Sequence, residues 1–168
     1  MIDAVGVNKR LVYRRARRPK FDSEAITIPL HARLILTIAT LAYGLGPWVV
    51  DMNRTHLFHP AWTGHARFHL VWAALSQLAI SGLAILLIWG DGPNALEHCH
   101  EAAIIGFCMT LGFWGALMIK RWYRGTLHDP QGIPPILGKV DGNILAVLLI
   151  DGLLVCGWLL LPVHQAMG

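Results

Sequence analysis

Residues 51–72 read DMNRTHLFHPAWTGHARFHLVW, a histidine-rich stretch between two long apolar segments. It holds four of the nine histidines in the chain and leads directly into the second apolar segment. Outward from this stretch, long apolar runs alternate with polar connections. The pattern predicts a membrane protein whose histidines collect where the first two spans meet.

Four apolar segments come close to the roughly 20 residues that cross a hydrocarbon core. Inside lipid, every backbone polar group must find its partner within the segment, so each segment is predicted to be an α-helix. The spans cover about residues 32–50, 66–89, 102–119 and 143–163. The predicted fold class is all-α, a polytopic membrane protein with a four-helix transmembrane bundle in residues 31–164 and a basic arm in residues 1–30.

The composition agrees with this class. Apolar residues make up 55% of the chain and charged residues only 14%, whereas a soluble domain carries about a quarter charged residues. The lipid bilayer is therefore the expected solvent. The three cysteines are widely spaced and form no CxxC motif, so they predict neither a disulfide framework nor a zinc site.

Basic residues before the first span set the expected orientation. They are Lys9, Arg10, Arg14, Arg15, Arg17, Arg18 and Lys20. Such a cluster beside a span favours the cytoplasmic side, so both termini are expected in the cytoplasm, with the protein in a bacterial inner (plasma) membrane. The arm would contact anionic lipid or dock to a partner protein. Nucleic acid is not expected, because no aromatic platform or recognition motif accompanies the charge.

The predicted outer face carries a candidate metal site. His65 and His69 are four residues apart, which places them one turn apart on the same helix face. His56 and His59 in the preceding loop would complete a set for zinc, iron or copper. Asp51, or His128 and Asp129 in the loop after the third span, would add a ligand or orient a histidine. The alternatives are a hydrogen-bonded network that shapes the loop, proton handling and ligand contact.

Asp151 lies near the middle of the fourth span, in LAVLLIDGLLVCGWLLL. A carboxylate at this depth costs several kcal/mol unless it is paired or protonated, so it is expected to face the bundle interior. Counting the same depth along the other spans gives Thr40, Ser76–Gln77 and Thr110. Asp151 would then handle a proton or hold a substrate group, or form a packing hydrogen bond with Gln77 or Tyr43.

Small residues recur at helical spacing in the third span. Ala102, Gly106 and Thr110 form one stripe, and Cys108, Gly112 and Ala116 form another. Such stripes allow close helix approach in membranes. They predict a central third helix or a contact with a second copy.

The run D-x-N-x-T-H-x-x-x-P-x-W-x-x-H-A-R-F-H at 51–69 resembles the signature of an uncharacterised family of small four-helix integral membrane proteins. YGLGPWVVD at 43–51 and the later DPQGIPP and VDGN segments are also similar to that family. The resemblance covers about residues 32–163 and implies the four-span fold without an established activity. The residues that it singles out are Asn53, Thr55, His56, Pro60, Trp62, His65, Arg67 and His69.

Three functions follow as hypotheses. In the first, the outer histidines lie above Asp151 and bind a metal or a small lipophilic ligand; were it an enzyme, Asp151, His65 and His69 would be the catalytic groups. In the second, the chain is an accessory subunit of a larger membrane complex or a homo-oligomer. In the third, it is an isomerase-like or carrier protein that uses Asp151 without metal.

Overall fold

Four antiparallel helices form the bundle. The computed structural model describes residues 27–127, 135 and 138–163. The helices are α1 (Leu30–Asp51), α2 (Gly64–Trp89), α3 (Ala95–Ile119) and α4 (Gly142–Leu159). Each is long and apolar enough to cross a membrane, and the residues described include no β-strand. The predicted all-α, four-span membrane fold is confirmed.

Two helix bounds differ clearly from the predicted spans. α3 begins at Ala95 rather than near residue 102, so the run EHCHE at 97–101 lies inside its first turns. α4 ends at Leu159 rather than at residue 163, and Pro162 follows shortly after. Proline removes a backbone donor and cannot continue a helix. The basic arm up to residue 26, together with His128 and Asp129, lies outside the described residues.

Side-chain caps fix the starts of two helices. The Thr63 hydroxyl accepts a hydrogen bond from the Ala66 amide at 3.2 Å and begins α2. The Asp141 carboxylate accepts from the Asn143 amide at 2.8 Å and begins α4. Each cap satisfies an N–H group that has no partner within the helix.

The helices follow one another around a ring, α1–α2–α3–α4, and α4 closes it against α1. Across the ring α1 contacts α3, whereas α2 and α4 do not contact each other. One end carries the 52–63 loop, the end of α3 and the start of α4, and is called the loop face below. The other end carries the turn between α2 and α3, where Arg33 lies 3.2 Å from Asp91.

Three glycines let the helices approach closely. A Cβ on Gly106 of α3 would lie 2.6 Å from Leu154 of α4, and a Cβ on Gly157 of α4 would lie 2.7 Å from Leu36 of α1. A Cβ on Gly44 of α1 would overlap the Ser81 side chain of α2. The first small-residue stripe of α3, Ala102, Gly106 and Thr110, is buried in these contacts, whereas Cys108, Gly112 and Ala116 are exposed.

Candidate functional site

Asn53 organises the loop after α1. Its side-chain oxygen accepts hydrogen bonds from the Thr55 amide at 2.8 Å, the Thr55 hydroxyl at 2.7 Å and the His56 amide at 3.2 Å. Its amide nitrogen donates to the Val50 carbonyl at the end of α1. Asparagine favours such turns because its short side chain reaches the backbone two or three residues on. The residue therefore fixes how the chain leaves α1.

His56 is held between the loop and the end of α1. Its Nδ1 lies 2.9 Å from the Thr55 hydroxyl, and its Nε2 lies 3.9 Å from an Asp51 carboxylate oxygen. The Trp62 ring meets the imidazole edge-on, with 6.4 Å between ring centroids. The structure thus joins the predicted residues Asp51, His56 and Trp62 in one cluster.

His59 has a different role. Its Nδ1 accepts a hydrogen bond from the Ala61 amide at 3.2 Å. Its backbone carbonyl accepts from the Arg67 guanidinium at 3.1 Å, which ties the loop to the first turns of α2. Both contacts are structural, and they leave the His59 imidazole apart from the other histidines.

His65 and His69 form an exposed pair on α2. Their Nε2 atoms lie 3.0 Å apart, and the rings meet edge-on. Trp72, one turn further along, stacks on the His69 ring at 5.8 Å. The spacings of four residues between the histidines and three from His69 to Trp72 place all three side chains on one face, as the sequence predicts for the two histidines.

The four histidines therefore do not converge on one point. His56 lies in the cluster with Asp51 and Trp62, the His59 imidazole bonds within its own turn, and His65 and His69 form a separate pair. In the described part of the chain, no group of three or more His, Cys, Asp or Glu side chains is placed to hold a metal ion. The four-histidine metal site stays a prediction.

Asp151 lies in a groove between α3 and α4. The Trp114 indole N–H donates to its Oδ2 at 2.8 Å, and its Oδ1 is buried with no hydrogen-bond partner in the described part of the chain. The groove has a volume of about 630 Å³. Leu111 and Leu159 in its walls are 66% and 75% exposed, so the groove faces the surrounding lipid. The other lining residues are Ile104, Phe107, Cys108, Thr110, Val155 and Trp158.

A second cavity of about 260 Å³ lies inside the bundle and is called the central cavity. All four helices contribute to it. Its polar and aromatic lining residues are Tyr43, Asp51, Gln77, Thr110, Phe113 and Asn143. The predicted polar layer is therefore split: Gln77 lines the central cavity, Asp151 lines the groove, and Thr110 lines both.

The hydrogen-bond partner of Gln77 explains why this residue lies apart from Asp151. Pro47 has no N–H to donate to the carbonyl of Tyr43, four residues earlier in α1. The Gln77 amide donates to that carbonyl instead, at 2.8 Å. Gln77 therefore bonds to the backbone of Tyr43 and not to Asp151, the alternative that the sequence left open. The spacing of Pro47 and Tyr43 was the signal that could have found this contact.

Trp114 is the main site residue that sequence reasoning missed. An indole N–H within a span needs a hydrogen-bond acceptor, and the Asp151 carboxylate is an acceptor within a span. The sequence therefore indicates that a tryptophan donates to Asp151, but it does not show which tryptophan is near enough.

No family model, curated protein or solved structure matches the chain. The family resemblance of the 51–69 run stays a prediction.

Proposed function

We propose that this four-helix membrane protein binds a small lipophilic molecule with a hydroxyl or amine group in the groove between α3 and α4. The observation that carries the proposal is Asp151 Oδ1, which is buried and has no hydrogen-bond partner among the residues that the structure describes. An unpaired polar atom in an apolar setting costs on the order of 1–3 kcal/mol, more when it is charged. A ligand that donates a hydrogen bond there would recover this energy.

The groove has the size and lining that such a ligand needs. Its volume of about 630 Å³ lies in the usual range for small-molecule sites, roughly 300–1,000 Å³. Its walls are almost wholly apolar, with Phe107, Trp114 and Trp158 as flat surfaces. Because the groove faces lipid, a lipophilic molecule would enter it sideways from the bilayer.

The carboxylate of Asp151 can serve two partners at once. Trp114 holds Oδ2, and the terminal torsion of an aspartate is soft. A small rotation would turn Oδ1 toward the groove while the indole keeps its hydrogen bond. Asp151 is the one carboxylate among the described lining residues, and His65 and His69 do not line the groove. The geometry favours binding, and a catalytic role for these three residues stays a prediction.

A matched ligand series tests the proposal. Hexadecanol, hexadecylamine and hexadecane would be titrated into the purified protein in a mild detergent, with thermal unfolding as the readout. We expect the alcohol or the amine to raise the unfolding temperature of the wild type. The affinity for the alkane should be at least about tenfold lower, since one charge-assisted hydrogen bond contributes about 1.5–3 kcal/mol. In Asp151→Leu this difference in affinity should disappear.

Two further variants separate the groove from the rest of the lipid-facing surface. Val155→Trp places bulk in the groove, whereas Leu86→Trp places the same bulk on α2, where Leu86 is 73% exposed and does not line the groove. Stabilisation should be lost only in Val155→Trp. Equal stabilisation by the alkane, or full binding by Asp151→Leu, would contradict the proposal.

A second candidate function is transition-metal binding by His65 and His69. The supporting observation is their Nε2 separation of 3.0 Å, which is close to the distance between two nitrogens that share one metal, given metal–nitrogen bonds of about 2.0–2.1 Å. Zinc, copper or iron would suit two imidazoles. Elemental analysis of untagged protein would be the test: metal should be lost in His65→Ala/His69→Ala and kept in His56→Ala/His59→Ala.

The orientation completes the proposal. Both termini would lie in the cytoplasm of a bacterial cell, since the basic cluster before α1 favours that side. A reporter fused to the C-terminus should then be active only if it works in the cytoplasm.

An accessory-subunit role would be supported by stoichiometric partners in mild detergent. The exposed stripe of Cys108, Gly112 and Ala116 is the surface that such a partner or a second copy would use.

A further inference from the structure

We infer that the central cavity is a second binding site, distinct from the groove, and that it binds a small organic ammonium ion. The cavity lies inside the bundle toward the loop face, where Val50, Asp51 and Asn143 line it. The inference does not depend on a ligand in the groove.

The charge of the cavity selects a cation. Asp51 is the one charged side chain among its described lining residues, and no lysine or arginine lines it. The nearest basic group recorded for Asp51 is the His56 imidazole, 3.9 Å away and at the long limit of an ion pair. A carboxylate in a partly desolvated site favours a ligand that brings a positive charge.

The remaining walls suit an ammonium ion with methyl or methylene groups. Tyr43 and Phe113 contribute aromatic rings, whose faces attract organic cations. Gln77, Thr110 and Asn143 add oxygen atoms, and Met109 and Ile150 add apolar surface. A metal ion would prefer several oxygen ligands around one point, whereas this cavity has a single carboxylate at its edge and aromatic walls further in.

Tyr43 forms part of the inner wall of the cavity. The residue is 4% exposed and lines the cavity, and its hydroxyl lies near the Thr40 side chain, one turn earlier in α1. Asp51 lies eight residues later, about 12 Å along the helix axis. The ammonium ion is therefore expected to bind beside Asp51, with the Tyr43 ring further in.

Choline and its neutral isostere 3,3-dimethylbutan-1-ol are the matched probes, because they share shape and hydroxyl and differ in charge. Binding would be measured by calorimetry on the full chain in a maltoside detergent, which has no ammonium group. We expect choline to bind at least about tenfold more tightly than the isostere.

Three variants locate the site. Asp51→Asn removes the charge and should reduce choline affinity about tenfold or more. Gly46→Leu keeps Asp51 but fills the cavity, since a Cβ at Gly46 meets open space; it should abolish binding while the thermal unfolding transition stays cooperative. Asp151→Asn changes the groove and should leave choline binding unchanged.

The inference is overturned if the wild type binds no choline, if the isostere binds equally well, or if Asp51→Asn and Gly46→Leu both bind choline like the wild type. Loss of choline binding in Asp151→Asn would also overturn it, because the groove and the central cavity would then be one site.

Discussion

Asp151 shows how a half-buried carboxylate is held in a membrane helix. Trp114 donates to one oxygen at 2.8 Å, and the other oxygen is buried and finds no hydrogen-bond partner within the described ranges. The side chain is thus half satisfied. An intramembrane carboxylate in this state is a functional candidate in its own right, and its indole partner is the residue that holds it in place.

Trp114→Phe should destabilise the protein by about 1–2 kcal/mol, because the carboxylate loses its one donor within an apolar groove. Unfolding by sodium dodecyl sulfate in mixed micelles would measure the change. Trp158→Phe is the control, since that indole lines the same groove but has no bond to Asp151. Equal losses in the two variants would mean that ring packing, not the hydrogen bond, is responsible.

Asn53→Ala should loosen the 52–63 loop, because its side chain makes four hydrogen bonds there. With about 0.5–1.5 kcal/mol for each bond, proteolytic cleavage within the loop should rise by roughly tenfold or more. Asn53→Asp keeps the accepting oxygen and loses only the bond to Val50, so its cleavage rate should lie between those of wild type and Asn53→Ala.

At the scale of the helices, a side chain of α2 satisfies a backbone carbonyl that a proline leaves free in α1. Pro47 leaves the Tyr43 carbonyl without its partner in α1, and Gln77 of α2 supplies one. A proline in a membrane helix is tolerated when a neighbouring helix satisfies the freed group. The pair therefore fixes the register of α1 against α2.

A double-mutant cycle tests this coupling. Gln77→Leu should cost about 1–2 kcal/mol in the wild type. In the Pro47→Ala background the backbone N–H returns to the Tyr43 carbonyl, so the same change should cost less than half as much. Unfolding in mixed micelles gives all four free energies. Strict additivity would show that Gln77 stabilises the bundle in some other way.

Two glycines of α3 allow the effect of helix packing on stability to be distinguished from the effect of backbone flexibility. Gly106→Ala should destabilise the protein by about 1–3 kcal/mol, because its Cβ meets the fully buried Leu154. Gly112→Ala lies on the same helix with no atom within 4 Å of the new Cβ and should be neutral or stabilising. If both variants lose equal stability, helix contact at Gly106 is not the cause.

The sequence predicts the helices well and their contacts poorly. Apolar runs of span length fix the four helices, because lipid permits few alternatives. Hydropathy predicts the start of α3 too late because EHCHE is polar, although the N-terminal end of a helix favours acidic residues such as Glu97. Hydropathy does not specify helix rotation, so it could not show that Asp151 faces the groove or that Gln77 faces α1.

The candidate site was predicted only in part. The spacing of His65 and His69 defines a shared helix face, and the structure brings their rings together. The positions of His56 and His59 depend on loop hydrogen bonds to Asn53 and Arg67, which no periodic pattern encodes. Spacing along a helix can be counted from the sequence, whereas the path of a loop depends on contacts that form only in the fold.

On the scale of the whole molecule, the two cavities are reached by different routes. The groove faces the bilayer laterally, whereas the central cavity lies inside the bundle toward the loop face. Thr110 is buried between them and lines both. One helix, α3, thus separates a lipid-facing site from an interior one.

The short length of α4 has a consequence for the surrounding bilayer. Its 18 residues span about 27 Å at 1.5 Å per residue, whereas the 26 residues of α2 span about 39 Å. A hydrocarbon core of about 30 Å exceeds the first length and falls short of the second. The first turns of α2 carry His65, Arg67 and His69, so its apolar part is about 20 residues long and matches the core. The hydrophobic mismatch therefore lies on the α4 side, and lipid should thin beside the groove. Unfolding temperatures in nanodiscs of graded acyl-chain length should pass through a maximum below the longest chains; if they rise steadily with chain length, α4 does not set the preferred thickness.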